Sequence, residues 1–264
     1  MTGRAPLPDG YVRVGPAGTI DAVARADMAD VIASALATGR TLHEWAAAQP
    51  GATALRGRGI SWAVAMPGTT LRGVVRHSRH GGLLAPITRD LFQPPTRAPR
   101  ELVTSRQLAA SGVATPDVLA YATYPALFGF RRADVVTREI ADGEDLLAAL
   151  VRADAQERDS SLVPAVAELL VALARAGAWH PDLNLKNVLV TPLPPRAHRA
   201  WVLDVDVVEF GEPGDLDLAT RNLARLERSA RKLAPQLRSP LSPLDFLALT
   251  RAVRGAARVI PPRA

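Results

Sequence analysis

The chain has 264 residues, 48% apolar and 22% charged, enough for one large domain or two small lobes around an ordinary buried core, which excludes a disordered chain. It contains no cysteine, so disulfides, thiolate metal sites and cysteine nucleophiles fall together and any chemistry must use oxygen and nitrogen. Basic residues outnumber acidic ones 32 to 26, a net charge of +6, and every basic residue except Lys186 and Lys232 is an arginine.

That balance suits an anionic small molecule or a membrane surface. No nucleic-acid partner is expected, since there is no zinc-ligand spacing and no nucleic-acid motif, and 5% aromatic content leaves stacking platforms scarce. No run approaches the ~18 apolar residues of a spanning helix. The first thirty residues hold Asp9, Asp21, Asp27 and Asp30 and lack the basic-then-apolar order of a secretion signal, so a cytosolic protein with peripheral membrane contact is expected.

In chain order, residues 21–48 are alanine-rich, with Val23, Met28, Val31, Ile32 and Leu36 at helical spacing and Gly39 as a stop, which predicts a helical preface over 1–56. Runs at 60–66 and 71–77 flank a Pro67-Gly68 turn and predict a hairpin. A helix is predicted over 100–110, ended by Gly112, and three short strands over 118–124, 126–131 and 135–140. At Ala141-Asp142-Gly143 the pattern changes, dividing a strand-rich lobe (57–140) from a helical lobe (141–264).

In the second lobe Leu146, Leu147 and Leu150, then Val166, Leu169, Leu170 and Leu173, mark amphipathic helices. Strands are predicted at 188–190 and 201–205 around a proline-rich loop at 192–195, with helices from Leu216 and from Ser242-Pro243. No 20- to 50-residue repeat is present.

The segment His180-Pro181-Asp182-Leu183-Asn184-Leu185-Lys186-Asn187 places an Asp and an Asn five apart before an apolar strand, the spacing of a kinase catalytic loop. Phosphoryl transfer needs a carboxylate at the acceptor hydroxyl and oxygen donors for magnesium, and Asp182 with Asn187 fits those needs. Asp204, at the end of the apolar run Trp201-Val202-Leu203, stands where a second, charged metal ligand belongs. His180 reads as a hydrogen-bonded core histidine bracing the loop, and Lys186 as a solvated side chain.

These motifs, with Arg76-His77-Ser78-Arg79-His80-Gly81-Gly82-Leu83 upstream and Arg221-Asn222-Leu223-Ala224-Arg225-Leu226-Glu227-Arg228-Ser229 downstream, resemble the 3-deoxy-D-manno-octulosonic acid (Kdo) kinases among the lipopolysaccharide kinases. The resemblance covers roughly residues 57–233. It implies an α+β, protein-kinase-like bilobal fold, with an antiparallel sheet lobe carrying one key helix and a mainly helical lobe. It also implies ATP and Mg2+ as cofactors and, as acceptor, an anionic Kdo-containing glycolipid on the cytoplasmic face of the bacterial inner membrane. Asp182 would then be the catalytic aspartate and Asn187 and Asp204 the metal ligands, while backbone groups at Arg138, Glu139 and Ile140 would meet adenine.

Two departures are visible. The phosphate-anchoring lysine expected on the third strand is replaced by Arg76, which keeps the charge and would pair with Glu101, and the phosphate-covering loop shrinks to Gly57-Arg58-Gly59. Asn184 stands where protein kinases place a lysine, which argues against a protein acceptor. The cluster Arg72, Arg76, His77, Arg79, His80 and Arg89 suits a negative acceptor, with Arg79 and His80 as its binding residues. Alternatives stay open: the same fold acting on another sugar, a small molecule or a protein, or a non-catalytic nucleotide-binding pseudokinase.

Overall fold

A computed structural model describes residues 6–15, 20–56, 59–79, 90–152, 161–195, 197–233 and 243–258. The chain divides into two compact units, one made of Met1–Arg106 and Asp117–Glu139, the other of Gln107–Pro116 and Ile140–Ala264.

The first unit contains β1 (Tyr11–Val14), β2 (Asp21–Arg25), α1 (Ala29–Ala37), α2 (Leu42–Ala47), β3 (Thr53–Arg56), β4 (Ile60–Ala65) and β5 (Arg72–His77). It continues through α3 (Ala98–Ala110, whose last residues belong to the second unit) to β6 (Val118–Pro125) and β7 (Arg131–Arg138). The strands form one antiparallel sheet in the order β1-β2-β6-β7-β5-β4-β3. Met28, Ile32, Leu36, Leu42 and Trp45 pack with Val64, Val75, Leu119 and Val136 in one apolar cluster. Ala98 and Leu102 of α3 pack with Val23, Val118, Tyr121 and Val135 in another.

Packing on both faces explains the first of two corrections. The predicted helical preface is not a separate element: its first part is β1 and β2, the sheet edge, and helix begins only at Ala29. Alanine favours helix by intrinsic propensity, but Ala22, Val23 and Ala24 are all at most 1% exposed, an uninterrupted burial that a strand between two apolar layers satisfies. The three strands predicted over 118–140 are two, joined by a 3-10 turn at Leu127–Gly129 in which Phe128 is 94% exposed. The division at residue 140 also needs refinement, because Gln107–Pro116 belongs to the second unit, where Leu108 and Val113 join its core and the Val202 N–H donates to the Ala114 carbonyl at 2.9 Å.

The second unit contains β8 (Glu144–Asp145), α4 (Leu146–Arg152), α5 (Leu162–Arg175), β9 (Ala178–Trp179), β10 (Val188–Leu193), β11 (Ala197–Val202), β12 (Glu209–Phe210), α6 (Leu216–Leu233) and α7 (Pro243–Arg258). Its core gathers Leu169, Leu170 and Leu173 of α5 with Leu218, Leu223 and Leu226 of α6. Two small antiparallel sheets, β11-β10-β8 and β12-β9, lie at the ends of the loop at 180–187. The predicted strand 201–205 stops at Val202, since Val205–Val207 winds into a 3-10 turn, and the Ser242 cap lies outside the described residues. Among the described residues no helix is long and apolar enough to cross a membrane.

Gly177 ends α5 and feeds β9. It adopts φ +69°, its carbonyl accepts from the Gly211 N–H at 2.8 Å, and a Cβ there would stand 2.5 Å from the Gly211 carbonyl oxygen. Gly177→Ala should therefore lower the unfolding free energy by at least about 2 kcal/mol, read by urea denaturation; an unchanged midpoint would contradict this account.

At the end of β5, His77 bridges two carboxylates: Nδ1 lies 2.6 Å from the buried Asp134 and Nε2 3.0 Å from Asp90. Asp134 in turn accepts from the Tyr124 hydroxyl (3.1 Å) and the His43 backbone N–H (2.9 Å), joining β5, β6, β7 and α2. Burial works to lower the His77 pKa, but hydrogen bonds and attraction from Asp134 and Asp90 outweigh it and hold the pKa above its ordinary value. A raised folded-state pKa stabilises fully below about pH 6.5, the unfolded value, and that contribution is lost as pH rises through the folded value. The stability advantage of the wild-type chain over His77→Gln should thus be largest near about pH 6 and shrink toward about pH 9. A pH-independent difference in urea titrations would refute the assignment.

Candidate active site

Residues 180–187 join β9 to β10 and alternate in burial: Leu183 and Leu185 are 1% exposed, which anchors the loop in the core, while the Asp182 side chain between its bonded neighbours keeps 50% of its surface in solvent. Asn184 folds the loop on itself. Its Nδ2 donates to the Asp182 carbonyl at 2.9 Å, and its Oδ1 accepts the N–H groups of Lys186 (2.9 Å) and Asn187 (3.2 Å). Asn187 Nδ2 donates to the same Asp182 carbonyl at 3.0 Å. Two side-chain amides thus fix the backbone of Asp182, whose side chain is half exposed.

α6 holds this loop from behind. The fully buried Asn222 accepts the His180 N–H through Oδ1 and donates to the Ala178 carbonyl through Nδ2, both at 3.0 Å. Two turns later Ser229 Oγ accepts the Leu185 N–H at 3.2 Å, and between them an Arg225 nitrogen stands 3.8 Å from an Asp182 oxygen. Positions 222, 225 and 229 share one helix face. The sequence reading singled out 221–229 by resemblance but assigned these side chains no role; the signal was an asparagine set within the apolar pattern of Leu218, Ala219, Leu223 and Leu226.

His180 is 0% exposed, and its Nε2 donates to the Leu203 carbonyl at 3.0 Å. Burial holds its pKa below the ordinary value, so the imidazole is neutral, with the proton on Nε2 assigned from that bond. It ties the loop to the residue before Asp204. The Leu203 N–H also donates to the Asn187 carbonyl at 2.9 Å, and Val188 pairs with Val202, so Asn187 and Asp204 flank the same end of the β10–β11 hairpin. Asp204 adopts φ +55°, a left-handed conformation uncommon for a non-glycine residue.

These donors fit a magnesium ion. Asn187 Nδ2 is committed to the Asp182 carbonyl, which identifies the other end of the amide as oxygen, and Asp204 adds a carboxylate. Among the described residues no group of three His, Cys, Asp or Glu side chains forms a metal cage. One carboxylate and one amide oxygen suit an ion that takes its remaining ligands from phosphate and water.

In the first unit the third sheet strand of the sequence reading is β5. Arg76 pairs there with Glu101 in the first turn of α3, and the Glu101 side chain is 7% exposed. A Cβ on Gly59 would lie 3.3 Å from Arg79 Nε, so the Arg79 side chain covers that glycine, while Gly57 and His80 lie outside the described residues. The Arg138 N–H donates to the Asp117 carbonyl (2.8 Å) and the Glu139 N–H to the Arg72 carbonyl (2.9 Å). The Arg138 and Glu139 N–H groups are therefore spent on neighbouring backbone. The Ile140 carbonyl accepts the Gly143 N–H at 3.3 Å, closing a turn.

Residues 28–252 match the model of the lipopolysaccharide kinase (Kdo/WaaP) family. The chain is 30% identical over 181 residues to a 3-deoxy-D-manno-octulosonic acid kinase of Vibrio vulnificus (strain YJ016), covering 67% of this chain and 71% of that one. It is 29% identical over 201 residues to the kinase of the same name from Pasteurella multocida (strain Pm70), covering 74% and 80%. Among solved structures, WaaP in complex with acyl carrier protein superposes with a TM-score of 0.53 at 22% identity, covering 85% of this chain and 88% of that chain, a likeness of kinase-like fold. With a family model spanning most of its length, sequence relatives over two thirds of it and a shared fold, this chain belongs to the lipopolysaccharide kinase (Kdo/WaaP) family.

Proposed function

We propose that this chain transfers the γ-phosphoryl group of ATP to a hydroxyl of Kdo in the lipid A–core precursor. The observation that carries the reading is the half-exposed Asp182 carboxylate on a backbone locked by Asn184 and Asn187, with Asn187 and Asp204 flanking one hairpin end. The acceptor oxygen attacks the γ-phosphorus, the bond to the bridging oxygen of ADP breaks, and Asp182 orients the hydroxyl and takes its proton. Asn187 and Asp204 would hold magnesium, whose charge offsets that of the phosphates. Arg76, fixed by Glu101, would contribute a guanidinium to the nucleotide phosphates.

The relatives' names specify an acidic sugar as acceptor, and the arginine-rich composition suits an anion. Because that acceptor is carried on a lipid, we infer that the chain works as a peripheral protein at the cytoplasmic face of the inner membrane. Purified chain with ATP, magnesium and a Kdo-bearing lipid A precursor should yield a product heavier by one phosphate. Asp182→Ala should lower the rate at least about 1000-fold. Equal product from the two proteins, or preference for a neutral sugar, would refute the reading.

A further inference from the structure

The two amides of the catalytic loop act on its backbone. Asn184 spends its amide on the Asp182 carbonyl and on the N–H groups of Lys186 and Asn187. Asn187 is likewise turned to backbone through Nδ2, and Lys186 is exposed to solvent. A carboxylate that must present one oxygen to an acceptor hydroxyl needs its other contacts fixed, because small displacements of the reacting oxygen are costly in rate.

A cation beside the Asp182 carboxylate comes from another element. Arg225 of α6 reaches Asp182 with Nη2 at 3.8 Å from Oδ1, a separation that is an ion pair but too long for a hydrogen bond. Its backbone is held on both sides, by Asn222 bonded to His180 and Ala178 and by Ser229 bonded to Leu185. Its Nε is buried without a hydrogen-bond partner among the described residues, so part of the guanidinium's donor capacity is unspent. Arg221, one turn earlier, is engaged elsewhere, its guanidinium 4.3 Å from the centroid of the Trp179 ring.

We propose that Arg225 is the positioning residue of the phosphoryl-transfer site: from α6 it holds the Asp182 carboxylate in the orientation that receives the acceptor hydroxyl. This rests on the kinase reading of Asp182 given above. The role is specific to a fork-shaped cation. A guanidinium can serve both carboxylate oxygens, or one carboxylate oxygen and a phosphoryl oxygen.

The test uses the full chain, ATP-magnesium and the Kdo-bearing lipid A precursor, with Arg225→Gln, Arg225→Lys, Asp182→Asn and the double variant Asp182→Asn/Arg225→Gln. Arg225→Gln should lower kcat about 10- to 100-fold, the range of a lost charge-assisted contact, while KM for ATP and for acceptor stays within about threefold. Arg225→Lys should recover part of that loss. In the Asp182→Asn background the second substitution should cost less than about twofold, because the group it positions is already gone. Thermal midpoints within a few degrees of wild type would show that the kcat loss is not unfolding. The inference is overturned if Arg225→Gln matches wild type, if its effect lies in KM, if it costs the same factor without the Asp182 carboxylate, or if kcat falls only in step with the thermal midpoint. A wild-type chain that phosphorylates no Kdo-bearing acceptor instead overturns the kinase reading itself.

Discussion

The buried carboxamide of Asn222 is the contact on which the architecture of the second unit turns. It accepts an N–H at the first residue of the loop and donates to the carbonyl of Ala178 in β9, so one side chain satisfies backbone groups that β9 and the loop leave without strand partners. Such groups are expensive to leave unpaired in a dry interior, about 1–3 kcal/mol each. The amide thereby ties a segment with almost no regular structure to α6. His180 extends the same logic, trading an exposed imidazole for a neutral, buried one that ties the loop to Leu203.

This arrangement separates two demands on the site. Leu183 and Leu185 provide burial and hence position, while Asp182 keeps a wet, charged surface. A fully buried carboxylate would be costly to ionise, and a fully exposed loop would lose its geometry. Alternation along five residues gives both. The left-handed backbone at Asp204 turns the chain just after β11, at the end of the hairpin where Asn187 also lies.

Much of the fold was legible in the sequence, because the relevant signals are local. The hairpin around Pro67-Gly68, the helix ended by Gly112 and the change of pattern near residue 140 rest on turn residues and short periods that tertiary context seldom overrides. The five-residue spacing of Asp182 and Asn187 is a local signal of the same kind. The failures were of another kind. Ala22-Val23-Ala24 is a helix by propensity and a strand by pairing, and only the partners, Tyr11–Val14 on one side and Ala120 to Thr123 on the other, decide between them. Nor does adjacency in sequence connect Asn222 with His180, or His77 with Asp134; those bonds span 42 and 57 residues.

The annexed first strands change how the boundaries of this family member should be drawn. The family match begins at residue 28, after β1 and β2. A protein trimmed to that point would lose more than a tail: β6, buried along seven of its eight residues, would become the terminal strand of the sheet with its outer row of amide and carbonyl groups bare. Long apolar strands left open in that way recruit other chains by backbone pairing, so the shortened protein would be driven toward self-association by the same surface that the intact one keeps sealed.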